Sequence, residues 1–384
     1  MTTSPKTGPL SGIRVVEFAG LGPTPFAAMM LADMGADVIR IDRLSAPPLS
    51  PGDGRLAFVN RGRPSIALDL KSDRGVALAR DIIAKADVLL EGFRPGVMER
   101  LGLGPQEVAG AGSSIVYARM TGWGQEGPLA HKAGHDINYI ALTGGLSLVG
   151  PPDRPPPPPL NLFGDYGGGA LFVVVGILSA LLERTRSGRG QIIDAAMVDG
   201  SASLLTEIYA WQAMGFWKPE RGGNLLDGGA YFYRCYETAD GAHMAVGAIE
   251  PQFHDEFIAG LGLDPADFLN HMDRARWAER SEQVAAVFRT RTRDEWVARF
   301  APLDACVTPV LTPAEAVKDP ANRARHVFTS DGQPQPAPRF SRTPAMIGNP
   351  PALSGEGGRR ALARYGLGSE IIEDLIGDGI LRAL

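Results

Sequence analysis

Residues 13–42 read IRVVEFAGLGPTPFAAMMLADMGADVIRID, and this stretch decides the fold. Ile13 to Phe18 is a short β-branched, apolar run, the pattern of a buried strand. Thr24-Pro25 follows it: a Thr oxygen caps free amides, and Pro suits the first helical position. The spacing therefore predicts a helix through FAAMMLADMGA, ending near Gly35, and a second strand over Asp37 to Asp42. Strand, helix and strand make a crossover unit, which parallel pairing requires.

The pattern recurs outward from there. Ser65 to Leu70 and Ala86 to Phe93 read as strands around a helix over Asp73 to Lys85, and Ser114 to Met120 is a further strand. These predict an α/β fold whose first 200 or so residues form an open sheet of Rossmann-like topology. Gly150 to Pro159 is proline-dense; proline fixes φ and lacks an N–H, so this is an extended loop. Helices are expected over Gly168 to Arg184 and from about Ala195 to Met214. The texture then changes. YFYRCYE and HMAVGAI flank the hairpin signal Asp240-Gly241, and Thr292 to Glu295 is a capping box ahead of Trp296. The expected organisation is a large domain (1–195), a linker helix (196–227), a small α+β domain (228–317) and a segment (318–384) returning to the large domain.

With 44% hydrophobic and 21% charged residues the composition is that of a globular protein, and the net charge of -5 speaks against a nucleic-acid partner. Cys235 and Cys306 make no disulfide framework and no CxxC, which fits a reducing, cytoplasmic setting. The N-terminal MTTSPKTGPLSG lacks the apolar run of a signal peptide. The longest apolar stretch, Leu171 to Leu182, is about 12 residues, too short to cross a bilayer, so a buried helix and no membrane partner are expected.

Two motifs tempt and fail. Gly20-Leu-Gly22-Pro-Thr-Pro25 resembles a dinucleotide fingerprint with Asp42 as its acid, but prolines replace amides that would hold pyrophosphate. His131 and His135 are four apart, yet no metalloprotease Glu lies between them and Gly134 weakens a helix there, so no metal is expected.

The informative segments are Asn60-Arg61-Gly-Arg63, Leu68-Asp69-Leu70-Lys71, Glu91-Gly-Phe-Arg94-Pro-Gly96 with Arg100, GHDINYI (134–140), NLFGDYGGG (161–169), Gly190 to Met197 and GAIEPQF (247–253). In order and spacing the chain resembles the family III CoA-transferase and α-methylacyl-CoA racemase superfamily (CaiB/BaiF), and within it the racemase branch. The resemblance implies ring-shaped subunits in an interlocked homodimer. It implies an acyl-CoA thioester substrate, with CoA part of the substrate and no resident cofactor. It also implies that Arg43, Leu68, Asp69, Leu70, Lys71, Gly92, Phe93, Arg94 and Arg100 hold the nucleotide end, and that Gly134, Ile137, Asn138 and Tyr139 line the CoA ester.

Removing an α-hydrogen from a thioester needs a base and a place for the enolate charge, and inversion needs a proton donor on the opposite face. By resemblance His135 and Asp165 are the two bases and Glu250 pairs with the histidine, which fixes a tautomer. The Asp136 backbone amide, at an expected helix start, suits the enolate oxygen, and Asn161 helps position the site. The alternative is a CoA-transferase in which Asp165 is the nucleophile; His135 with Glu250 favours racemisation of (R)- and (S)-2-methylacyl-CoA.

Overall fold

The computed structural model describes residues 7–44, 54–108 and 113–384; the first six residues of the polar N-terminus lie outside this set. In chain order the strands are β1 (Arg14–Phe18), β2 (Asp37–Arg43), β3 (Ser65–Leu68), β4 (Val88–Glu91), β5 (Val116–Thr121), β6 (Ile192–Ala196), β7 (Tyr233–Glu237), β8 (His243–Gly247), β9 (Val307–Pro309) and β10 (Leu381–Arg382). Seven form one sheet in the order β10-β3-β2-β1-β4-β5-β6. All its neighbours are parallel except β10, which runs antiparallel to β3. This is the doubly wound order expected of Rossmann-like topology, with an added edge.

The helices that matter are α1 (Pro23–Asp33), α2 (Asp73–Ile83), α3 (Val97–Arg100), α4 (Pro105–Val108), α5 (Asp136–Leu142), α6 (Leu171–Ser187), α7 (Met197–Leu204), α8 (Thr206–Ala213), α9 (Pro251–Leu261), α10 (Trp277–Phe288) and α11 (Arg293–Phe300). On one face of the large sheet, Ala27, Ala28 and Leu31 of α1 pack with Val173 and Ile177 of α6. On the other, Leu78 and Ile82 of α2 pack with Leu362, Tyr365 and Ile372 from the C-terminal helices. Two apolar layers on a parallel sheet explain why its central strands read as continuous apolar runs.

The chain divides into two compact units. One comprises 1–143, 160–204 and 328–384; the other comprises 144–159 and 205–327. The proline loop thus belongs with the second unit, not with residues 1–195. Arg221 explains why: its guanidinium donates to the carbonyls of Pro151 (3.1 Å) and Arg154 (2.6 Å). In the second unit β7, β8 and β9 form an antiparallel sheet, and the Thr292 capping box is present, with Oγ1 accepting from the Glu295 amide.

Four local expectations need correction. Helix α1 starts at Pro23 with Gly22 as N-cap, so Thr24 lies inside the helix. Ala195 and Ala196 belong to β6, and the single helix expected to Met214 is two, α7 and α8. Residues Leu162–Ala170 are π-helical and run straight into α6. The resulting 26-residue helix, Leu162–Ser187, contains an 18-residue window apolar enough for the helix to cross a membrane by length and composition, which overturns the 12-residue estimate. In this structure Val173, Val174, Ile177, Ala180 and Leu181 of that helix are buried in the core.

Candidate active site

The chain leaves β1 toward one face of the sheet and β4 toward the other. Their carboxyl ends diverge and leave a crevice, the usual ligand position in such sheets. A cavity of about 1040 Å³ lies there, within the first unit. It is lined by the turn after β1 (19–25), the loop after β4 (92–95), the end of β5 and residues 132–135, with Tyr139, Asn161, Asp165 and Tyr166.

His135 sits in extended backbone at the N-cap of α5. Its own N–H donates to Asn138 Oδ1 at 3.0 Å, which fixes the start of the helix. Asp136 is then the first helical residue, where amides lack intrahelical acceptors. The Asp136 carboxylate does a different task. Its Oδ2 accepts from the amides of Gly164 and Asp165, both at 2.7 Å, so α5 is tied to the π-helical stretch that carries Asp165. A side chain at Gly164 would collide with that carboxylate, its Cβ falling 2.6 Å from Oδ2. Tyr139 closes the segment from behind, its hydroxyl donating to the Gly134 carbonyl at 2.5 Å while its ring meets Trp123 edge-on at 4.7 Å.

Asp165 is partly buried. Burial raises its carboxyl above the usual range; the Asn161 amide, 3.3 Å from Oδ2, pulls the other way, Asp136 raises it further and His135 lowers it. The turn after β1 packs on the same carboxylate. Gly22 has φ 68, and a Cβ there would fall 2.8 Å from Asp165 Oδ2. Only glycine accommodates both the positive φ and the close approach.

The loop after β4 is held by charge. Glu91 Oε2 accepts from the Phe93 amide at 2.7 Å, and Oε1 accepts from Arg119 Nε at 3.0 Å. Arg119 also meets Glu99 of α3 at 2.9 Å, so the loop is gripped at both ends. Burial pushes Glu91 up to about 7 despite these donors. Arg94 projects from this loop into the crevice lining and has no ion-pair partner among the described residues. Arg43 lies 5.7 Å from the Phe93 ring.

The crevice thus gathers Arg43, Gly92, Phe93, Arg94, Gly134, His135, Tyr139, Asn161 and Asp165. Leu68, Asp69, Leu70, Lys71 and Arg100 are outside its lining, as are Asp136, Ile137 and Asn138; Asp69 spends Oδ1 on the Lys71 amide at 3.0 Å. Glu250 belongs to the second unit, where it is the N-cap of α9. Sequence reasoning gave no site role to Trp123, Lys132, Tyr166, Arg40 or Arg382, and it set Gly22 and Asp42 aside with the failed dinucleotide motif. The signal was available: in a doubly wound sheet the residues just after each strand face the ligand. Among the described residues no three His, Cys, Asp or Glu side chains converge as a metal site.

The model of CoA-transferase family III matches residues 10–365, and the chain belongs to that family. Within it, the chain is 49% identical to the α-methylacyl-CoA racemase of Mus musculus, over 97% of this chain and 98% of the relative. It is 46% identical to the α-methylacyl-CoA racemase of Homo sapiens, with the same coverage. The crystal structure of a CaiB/BaiF family protein from Brucella suis superposes with a TM-score of 0.79 at 29% identity, covering 94% of this chain and all of that one.

Proposed function

We propose that this protein is an α-methylacyl-CoA racemase, interconverting (R)- and (S)-2-methylacyl-CoA thioesters by two-base proton transfer through an enolate. The observation that carries the reading is the meeting of His135 and Asp165 on one crevice, each fixed by the α5 start and the Asp136 carboxylate. One base takes the α-proton, the other returns a proton to the opposite face, and the roles reverse for the other enantiomer. A carboxyl that burial raises above its usual range holds a proton more readily than a free one, as a proton-transferring base requires. The free Asp136 amide at the start of α5 receives the enolate oxygen. Arg43 and Arg94 bind CoA phosphates by charge-assisted hydrogen bonds. This chemistry draws on side chains and the substrate's own thioester, so no cofactor or metal is invoked.

The active species is an interlocked homodimer of ring-shaped subunits, as the family resemblance suggests. It works in the cytoplasm without a membrane or nucleic-acid partner; the two free cysteines suit a reducing compartment. A fully active species of monomer mass in sedimentation would end the dimer proposal.

The test is a single 2-methylacyl-CoA enantiomer incubated in D2O with no second acid. Enzyme-dependent deuterium uptake at the α-carbon with inversion is expected, and His135→Ala and Asp165→Ala each lower it by about 10³-fold or more while CoA-ester affinity stays largely intact. Should neither exchange nor inversion occur, and added carboxylic acid yield a new CoA ester, Asp165 is a nucleophile and the protein a transferase.

A further inference from the structure

We propose that Glu91 is a positioning residue for Arg94: its ionised carboxylate holds the loop after β4 in the form that binds CoA, and a proton on that carboxylate loosens the loop and weakens binding. This rests on the reading that the crevice takes a CoA thioester and that Arg94 meets its phosphates. Glu91 touches no ligand. It is 0% exposed, and it acts through the backbone it holds.

The loop is short, and Arg94 lies at its middle, between the end of β4 at Glu91 and the start of α3 at Val97. Hydrogen bonds flank Arg94 on both sides. The Phe93 amide donates to Glu91 Oε2 at 2.7 Å, and the Arg94 carbonyl accepts from the Val97 amide at 3.1 Å. Gly92 packs so closely on Thr24 of α1 that a Cβ there would collide with Thr24 Oγ1. The direction in which Arg94 leaves the backbone therefore depends on the bond between Glu91 and Phe93.

That bond depends on charge. Glu91 Oε1 accepts from Arg119 Nε at 3.0 Å, and the same guanidinium meets Glu99 of α3 at 2.9 Å. Tyr117 of β5 also faces Glu91, its hydroxyl donating to the Leu103 carbonyl at 2.9 Å, and Glu107 of α4 acts on Tyr117. Asp194 of β6 lies opposite Arg119 in the ladder, with Oδ2 accepting from the Gln125 amide at 2.9 Å. An ionised carboxylate accepts at both oxygens, whereas a protonated one turns an oxygen into a donor. Both oxygens of Glu91 face N–H groups, so protonation sets donor against donor at one of them. The charge-assisted bond to Arg119 is the stronger, and the Phe93 amide is the one released. Burial pushes Glu91 up to about 7, while the Phe93 amide and Arg119 draw it down and Glu99 raises it. A phosphate at Arg94 favours the held loop and hence the ionised carboxylate, so binding expels a proton. Affinity is then full above about 7 and falls as pH drops through it, by at most about tenfold per pH unit for one proton.

The experiment is calorimetric titration of the full chain with 3′-dephospho-CoA, whose diphosphate, unlike a phosphomonoester, keeps its charge near neutral pH. Between about pH 8 and about pH 6 the wild type is expected to lose roughly fivefold in affinity and to release a proton on binding at the acid end. Glu91→Gln, which offers one acceptor oxygen and one donor, should bind at every pH as the wild type does at the acid end. Glu99→Gln alters an exposed residue and keeps the proposal testable should the buried variant not fold; with its charge gone and Arg119 left to Glu91 alone, the fall should move to lower pH. The same series in His135→Ala should keep the wild-type slope; a slope lost there belongs to that histidine and overturns the proposal. A wild type that binds equally at both ends, or a Glu91→Gln that retains the slope, overturns it while leaving CoA binding intact. If the wild type binds no CoA ligand at any pH, the CoA reading falls and this proposal with it.

Discussion

The two units of this chain solve burial differently. In the first, charges are buried in pairs: Arg63 meets Glu17 at 2.7 Å, Arg61 meets Asp33 at 2.6 Å and Arg119 meets Glu91 at 3.0 Å. Each pair carries geometry. Arg63 also donates to the Pro25 carbonyl in the turn beside Asp165, and Arg119 grips the loop of Arg94. In the second unit the core is aromatic: Phe288 stacks on Tyr236 at 5.0 Å and meets Trp296 at 5.1 Å. Its buried Arg280 is held by the carbonyls of Asp267 and Leu269 and by the rings of Tyr231 and Phe268. Ring packing is weakly directional and maximises buried area; ion pairs add little net stability but fix where a loop sits. The first unit has a ligand crevice to shape, and it spends charge on it.

That contrast can be broken by mutation. Arg63→Met strands the buried Glu17 carboxylate and should cost ~3–5 kcal/mol in denaturant unfolding. Replacing Glu17 and Arg63 together by apolar residues should recover most of that loss, yet leave CoA-ester turnover impaired because the Pro25 turn is no longer held. Trp296→Ala should cost a similar ~3–5 kcal/mol with no such paired rescue. Recovery of both stability and turnover in the double variant would show that the pair has no positioning role.

A smaller effect separates the units by pH. In the second unit burial, then the neighbouring His271, lower His254 from 6.5 to about 4, and its Nε2 meets the Tyr231 hydroxyl at 2.6 Å. The unfolded histidine takes up a proton near 6.5 that the folded one refuses. Stability is therefore fully present above that pH and is lost as pH falls toward 4, by at most about 1.4 kcal/mol per pH unit. His254→Phe should flatten this slope in chemical unfolding; an unchanged slope would assign it elsewhere. The smallest effect lies in the first unit. Asn161→Ala removes a donor that lowers Asp165, so the acidic limb of kcat/KM should move to higher pH in the direction where Asp165 is the base. A limb that stays put would separate Asp165 from that titration.

The central sheet was readable because its strands are buried on both faces and so appear as unbroken apolar runs. Strand β6 was not, since it is an edge strand with Ile192 half exposed and Asp194 in its middle. The helix cap was misplaced by a residue type: Thr24 is a good cap, but Gly22 with positive φ and Pro23 at the first position set the start earlier. The assignment of residues 144–159 to the second unit depends on Arg221, some 70 positions away, and no local pattern carries that. His135, Asp165 and Arg94 stood out through their motifs. Arg382 did not, because a two-residue strand has no periodicity to read.

The π-helical stretch ahead of α6 has a consequence for how this family can vary. The Tyr166 amide bonds to the Asn161 carbonyl, five residues back, so this turn holds one residue more than an α-helical turn would. Deleting a single residue between Asp165 and Leu171 would let the backbone relax to α-helix and swing the carboxylate by about 100° around the axis of α6. Any substitution among the glycines keeps the count; a one-codon deletion does not. Inheritance must therefore preserve the length of this window as strictly as the small size of Gly168, where a Cβ would fall 2.7 Å from the Ser201 amide nitrogen.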